Sequence, residues 1–201
     1  GYGRSLPGAQ PRSLAQYAAD CCQFAENIAE PVVLIGHSMG GVIGLLAMEQ
    51  QPSLFQGFIN IEGNLTPGDC VFSGQAADYT LDQFISYGFN VLQNTVYDNG
   101  VTFSPQKGYY ASMRFADPQQ FYLNSIELTE FSAPQTGAER FAQLATRTMY
   151  IGGSPRGICS QSVNCLKKAG VPAKYVENAG HWPFIDHVTT TADLIDQFLN
   201  N

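Results

Sequence analysis

The apolar positions fall into short continuous runs separated by stretches with helical spacing. Val32-Val33-Leu34-Ile35 is a run of four, three of them β-branched, which predicts a buried strand. A glycine corner, Gly36 to Gly41, follows it. Val42 to Met48 is then apolar for long enough to form a buried helix, which runs to about Gln51 before Pro52 stops it. Phe55–Ile61, Arg147–Gly153 and Val171–Glu177 read as further strands, the last with Pro172 near its start. Leu14, Tyr17, Ala18, Cys21, Ala25 and Ile28 recur at helical spacing, so a helix capped by Ser13 and running to about Ala29 would turn this face to the sheet. Another helix is expected over Cys159–Ala169, ended by Gly170, and a C-terminal one with Leu194, Ile195, Phe198 and Leu199 on one face. Strands alternating with helices predict a parallel α/β sheet.

Between Leu65 and Thr146 the pattern changes to helices around Leu81–Gln93, Pro118–Phe131 and Gly137–Thr146. Fourteen of the chain's aromatics fall there, enough to build either an apolar pocket or a small separate core. Phe84, Phe89, Tyr109, Tyr110, Phe121 and Tyr122 are not sorted between the two by sequence. Three segments follow: 1–64 and 147–201 carry the strand–helix alternation of a core, and 65–146 the helical, aromatic-rich pattern, which the family resemblance given below makes the cap.

Composition narrows the partners. A formal net charge of −7 with scattered Lys and Arg gives no electrostatic footprint for nucleic acid. The Val32–Met48 span approaches membrane-helix length, but His37, Ser38 and the glycines argue for strand plus helix. Five cysteines without repeated CxxC pairs speak against zinc or a disulfide framework. Buried thiols are the simpler expectation, with a Cys159–Cys165 pair left open. The compartment stays open, the cytoplasm being favoured. Asn64-Leu65-Thr66 fits a glycosylation acceptor.

The chemistry centres on Gly36-His37-Ser38-Met39-Gly40, a G-x-S-x-G match between a strand and a helix. A serine lifted off a sheet edge needs a tight turn, and side chains two residues either side would collide there. The helix that follows points its amides at the serine, so the Met39 N–H is a candidate oxyanion donor. On these residues the chain resembles the α/β-hydrolase superfamily over its whole length. The resemblance implies a mostly parallel sheet flanked by helices with a helical cap, a nucleophile–acid–histidine order, and no metal or organic cofactor. Gly1-Tyr2-Gly3-Arg4-Ser5 resembles the loop after that family's fourth strand. The first strands, and the loop giving a second oxyanion amide, would then be absent from this chain, a compact variant with a different opening being the alternative.

A serine needs a base. Of three histidines, His37 is held in the elbow and His187 opens the final helix, whereas His181, within Gly180-His181-Trp182-Pro183, stands where the family places its base. The acid departs from the commonest pattern, because Gly152-Gly153-Ser154-Pro155-Arg156-Gly157 carries no carboxylate. Glu62, at the end of the Phe55–Ile61 strand, resembles the placement in haloalkane dehalogenases, with Asp69 as runner-up. Those enzymes attack with aspartate, so a serine nucleophile disfavours dehalogenation. The resemblance implies a serine esterase acting on small esters with an apolar acyl or alcohol part. A perhydrolase, a C–C bond hydrolase and a non-enzymatic ligand-binding homologue are the alternatives.

Overall fold

The computed structural model describes residues 2, 3, 5, 8 and 10–200. Gly1 and Arg4 of the loop-like Gly1–Ser5 stretch lie outside the described residues. In chain order the main elements are α1 (Leu14–Glu26), β1 (Val32–His37), α2 (Met39–Gln50), β2 (Phe55–Ile61), α3 (Val71–Ala77), α4 (Leu81–Gln83), α5 (Phe89–Asn99), α6 (Pro105–Met113), α7 (Pro118–Ser132), α8 (Gly137–Ala142), β3 (Arg147–Arg156), α9 (Ser160–Ala169), β4 (Ala173–Gly180), α10 (Pro183–Asp186) and α11 (Val188–Asn200). A π-helical turn, Phe84–Gly88, joins α4 to α5.

The chain divides into two compact units, residues 14–69 with 131–201 and residues 1–13 with 70–130. The first carries the sheet. Its strands run in the order β1-β2-β3-β4, every neighbour pair parallel. Alternate residues serve opposite faces, as the two-residue strand period requires. Phe58 and Tyr150 join Leu45, Met48, Phe141 and Leu166 in one core. Ile59, Ile61, Met149 and Ile151 join Val176 and Phe198 in another. On the first face α1 packs against α2 through Ala18, Cys22 and Ala25. Cys22 is more deeply buried than the expected Cys21, and its thiol reaches the Ala47 carbonyl at 3.5 Å. Ile28 lies beyond the helix end and is exposed. On α11 the buried side chains are Thr191 and Phe198, with Leu194 and Ile195 beside them, while Leu199 faces solvent.

Strand boundaries differ from expectation in three strands, β1 running on to His37 and β4 to Gly180. β4 starts at Ala173, because the Val171 amide caps α9 by bonding the Leu166 carbonyl and Pro172 has no N–H for the ladder. Gly170, at φ 68°, supplies the left-handed residue this cap needs. β3 extends to Arg156, paired with β4 as far as Arg156↔Gly180. None of the five cysteines is disulfide-bonded, so Cys159 and Cys165 are not bridged; Cys22 and Cys70 are buried, the other three partly so.

The second unit is helical. Phe84, Phe89, Leu92, Val96, Met113 and Phe121 form its core, with Tyr109, Tyr110 and Tyr122 packed on it. The Phe84 ring stacks on Phe121 at 6.0 Å between centroids and lies 5.6 Å from Phe89. The aromatics left unsorted by sequence thus fill this unit's own core. Two of its helices, α3 and α6, escaped the hydrophobic pattern; each carries an interior glycine, Gly74 or Gly108. Thr80 begins α4 with a reciprocal capping box to Gln83. Among the described residues no helix is long and apolar enough to cross a membrane.

Candidate active site

Parallel register brings two strand ends side by side. β1 and β2 pair through His37↔Ile61, so Ser38 and Glu62 are the next residues of neighbouring strands. Both turn off the sheet in the left-handed region, each at φ 54°. Such a backbone costs a non-glycine residue of the order of 1–3 kcal/mol and persists only where surroundings fix it. The surroundings are specific. The Ser38 amide donates to the Ile61 carbonyl at 2.9 Å, and the Glu62 amide to the Ile151 carbonyl at 2.9 Å. A Cβ at Gly36 would stand 2.3 Å from the Gly40 carbonyl oxygen, so this glycine is required by contact. Gly40 is different. A Cβ there would meet nothing within 4 Å, and the collision expected from sequence does not occur. The crowded second glycine is Gly41, against the Asn60 side chain.

His181 follows the end of β4 and completes the set. Its Nε2 lies 3.0 Å from Ser38 Oγ, and its Nδ1 lies 3.2 Å from Glu62 Oε2. A carboxylate only accepts, so Nδ1 carries the proton and Nε2 is free to accept from the serine hydroxyl. Ser38, Glu62 and His181 are therefore brought together from three strand ends. Met39 is the first residue of α2, directly after Ser38.

Glu62 is 1% exposed, and burying a carboxylate demands donors. Its Oε1 accepts from the Gly153 amide at 2.6 Å. In a parallel ladder that amide would bond a carbonyl of β2, but β2 has already turned away after Ile61. The carboxylate takes the carbonyl's place. A Cβ at Gly157 would stand 2.2 Å from Glu62 Oε1, so this glycine leaves the room. The Gly152–Gly157 stretch, noted in the sequence for lacking an acid, thus serves the acid that sits on β2.

Asp69 is engaged elsewhere. Oδ2 accepts from the Leu65 and Thr66 amides at 3.0 and 3.1 Å and from the Ser162 hydroxyl; Oδ1 accepts from the Cys159 amide at 2.9 Å. It ties the segment after β2 to the start of α9. Thr66 Oγ1 joins this knot at 2.7 Å from Ser162 Oγ, and Asn64 and Thr66 are 4% and 0% exposed. The Asn64-Leu65-Thr66 tripeptide therefore has no room for a glycan in the folded chain.

Two contributors, Asn60 and Tyr150, were not recognised from sequence, and a third, His37, was read only as part of the elbow. Asn60 is buried, accepting from the Gly63 amide at 3.0 Å and donating to the Gly41 carbonyl at 3.5 Å. It thereby links the turn of Glu62 to the helix of Ser38. Tyr150 donates its hydroxyl to the Gly63 carbonyl at 2.8 Å, and burial pushes that phenol well above its usual range, with Glu62 adding to the shift. His37 bonds the His181 carbonyl at 2.7 Å. Burial pushes the His37 pKa down to about 4, with the neighbouring His181 adding to the effect. An asparagine two residues before the glutamate was the one local signal for Asn60. Among the described residues no group of three His, Cys, Asp or Glu side chains could hold a metal ion.

A nucleophile elbow on a parallel sheet, with a histidine and a buried glutamate in one hydrogen-bonded line, defines the α/β-hydrolase class of architecture. The chain belongs to the alpha/beta hydrolase family, whose family model matches residues 1–194. No curated protein matches it by sequence. Among solved structures it is similar to a carboxylesterase of Nitrososphaera gargenis (TM-score 0.76, 16% identity) and a thermophilic esterase from Thermogutta terrifontis (0.76, 14%), covering 100% of this chain and 76% of each of those. It is also similar to the N-acyl homoserine lactonase AidH (0.71, 13%), covering 99% of this chain and 75% of that one.

Proposed function

We propose that the protein is a serine hydrolase that cleaves carboxylic esters through an acyl-enzyme. The observation that carries this reading is the line from Ser38 Oγ to His181 Nε2 and from His181 Nδ1 to Glu62 Oε2, at 3.0 and 3.2 Å. Ser38 attacks the ester carbonyl while His181 takes its proton, then returns it to the leaving alcohol. Glu62 fixes the tautomer and stabilises the imidazolium without itself accepting the proton. The Met39 amide supplies an oxyanion donor at the positive end of α2. Water then enters by the same base and releases the acid.

The esterases and the lactonase among the structural neighbours favour ester-like substrates, a lactone being a cyclic ester. The preference for an apolar acyl or alcohol part draws no support from Phe84, Phe89 or Phe121, which fill their own core. An acyl-length series decides it.

The test pairs p-nitrophenyl esters of increasing chain length and an acyl homoserine lactone with a fluorophosphonate probe. Ester turnover with the label mapped to Ser38, and a loss of at least about 10³-fold in Ser38→Ala, is the expected result. Ligand-induced stabilisation with neither labelling nor turnover would overturn it in favour of a binding protein.

A further inference from the structure

We propose that His37 is a positioning residue for His181, holding the base by its main chain from the position next to the nucleophile. This rests on the serine-hydrolase reading above. His37 ends β1, so Ser38 is its covalent neighbour. Its Nε2 lies 2.7 Å from the His181 carbonyl oxygen. A carbonyl cannot donate, so Nε2 carries the proton and His37 is the donor. The ring is wedged against the segment it holds, 4.8 Å between centroids from His181 and 4.9 Å edge-on from Phe184.

The choice of acceptor matters chemically. By bonding the carbonyl, His37 leaves both ring nitrogens of His181 for Ser38 and Glu62. A second tie fixes the other side of the same residue, where the Gly180 amide donates to Asp186 Oδ2 at 2.8 Å. His181 is thus held on both sides, at the Gly180 amide and at its own carbonyl. A proton transfer over about 3 Å tolerates little wandering, and a 1 Å misplacement costs on the order of 10²-fold in rate. A histidine held neutral by burial suits the place, because it puts no fixed cation beside the imidazolium that forms on His181 during the reaction.

The test compares His37→Gln with His37→Met, side chains of equal length of which only the first can donate. Ester kinetics, melting temperature and the imidazole NMR signals of His181 are read for both. For His37→Met, kcat should fall about 10- to 100-fold with KM within about twofold, and the His181 Nδ1–H signal should broaden into exchange. His37→Gln should recover kcat to within about fivefold of the parent and restore that signal. Parent-like kcat in the Met variant, equal impairment of both variants, or loss of the fold in either would overturn the proposal. Should the parent neither turn over esters nor label at Ser38, the hydrolase reading fails. The His181 spectrum still decides the role of His37: a sharp signal in the Met variant overturns it, and broadening reversed by Gln supports it.

Discussion

The two units bury different things. The sheet unit holds Glu62, the one buried carboxylate among the described residues, whereas the helical unit fills its core with rings, Phe84, Phe89 and Phe121 in mutual contact. Backbone geometry explains the division. A helix spends its amides on its own carbonyls except in the first turn, so its interior offers few donors to a buried anion. A parallel sheet with strands of unequal length does better. β3 outruns β2 beyond Ile151, and the Gly153 amide left over there meets the Glu62 carboxylate. Charge in a low-dielectric place becomes tolerable where the ladder has donors to spare.

Three measurements would break or sharpen this contrast. The largest effect is expected for Glu62→Gln, which keeps the shape but loses the charge that fixes the His181 tautomer; kcat should drop about 10³- to 10⁴-fold. Asp69→Asn should lower the melting temperature with kcat changed far less, since Asp69 holds the Thr66–Ser162 knot. The reverse pattern in ester kinetics would move the acid to Asp69. Next, Phe84→Ala should destabilise the helical unit by about 3–5 kcal/mol. Amide exchange should speed up over residues 81–128 while β1 to β4 keep their protection; uniform acceleration would mean the two units unfold as one.

The smallest effect concerns pH. The His37 pKa in the folded protein, about 4, lies below its ordinary value of 6.5, so the unfolded chain takes up a proton first as pH falls. His37 leaves stability unaffected above about pH 6.5 and lowers it progressively toward pH 4, by at most about 3 kcal/mol. Thermal melts across that window should show the decline, and His37→Gln should flatten it.

Much of the sheet unit was legible because its elements carry local signals. Four apolar residues gave β1, Phe55–Ile61 matched β2 residue for residue, and Gly170 ended α9. Ser38 and His181 could be singled out as candidates because each has a neighbourhood with a shape of its own, an elbow and a Gly-His-x-Pro loop. Glu62 was singled out as a candidate by its place at a strand end, but what makes its burial possible was not visible. Gly153 and Gly157 lie some ninety residues away, and only the register of β2 on β3 brings them to the carboxylate. Asn60 and His37 act through main-chain atoms of Gly41, Gly63 and His181, and a main-chain partner leaves no residue type to recognise. In the helical unit α3 and α6 were hidden by Gly74 and Gly108, since tertiary packing there overrides helix propensity.

The shared φ of 54° at Ser38 and Glu62 has a bearing on how this protein could change. Glycine adopts that conformation without cost, so at both positions the most comfortable residue is one that can do no chemistry. At 62 that backbone gain is offset, because glycine would orphan the Gly153 amide and leave a cavity where the buried carboxylate lies, whereas at 38 selection for heat resistance alone would favour glycine. Keeping a serine at 38 is a standing concession of folding stability, and on the function proposed above it is selection for turnover that maintains it.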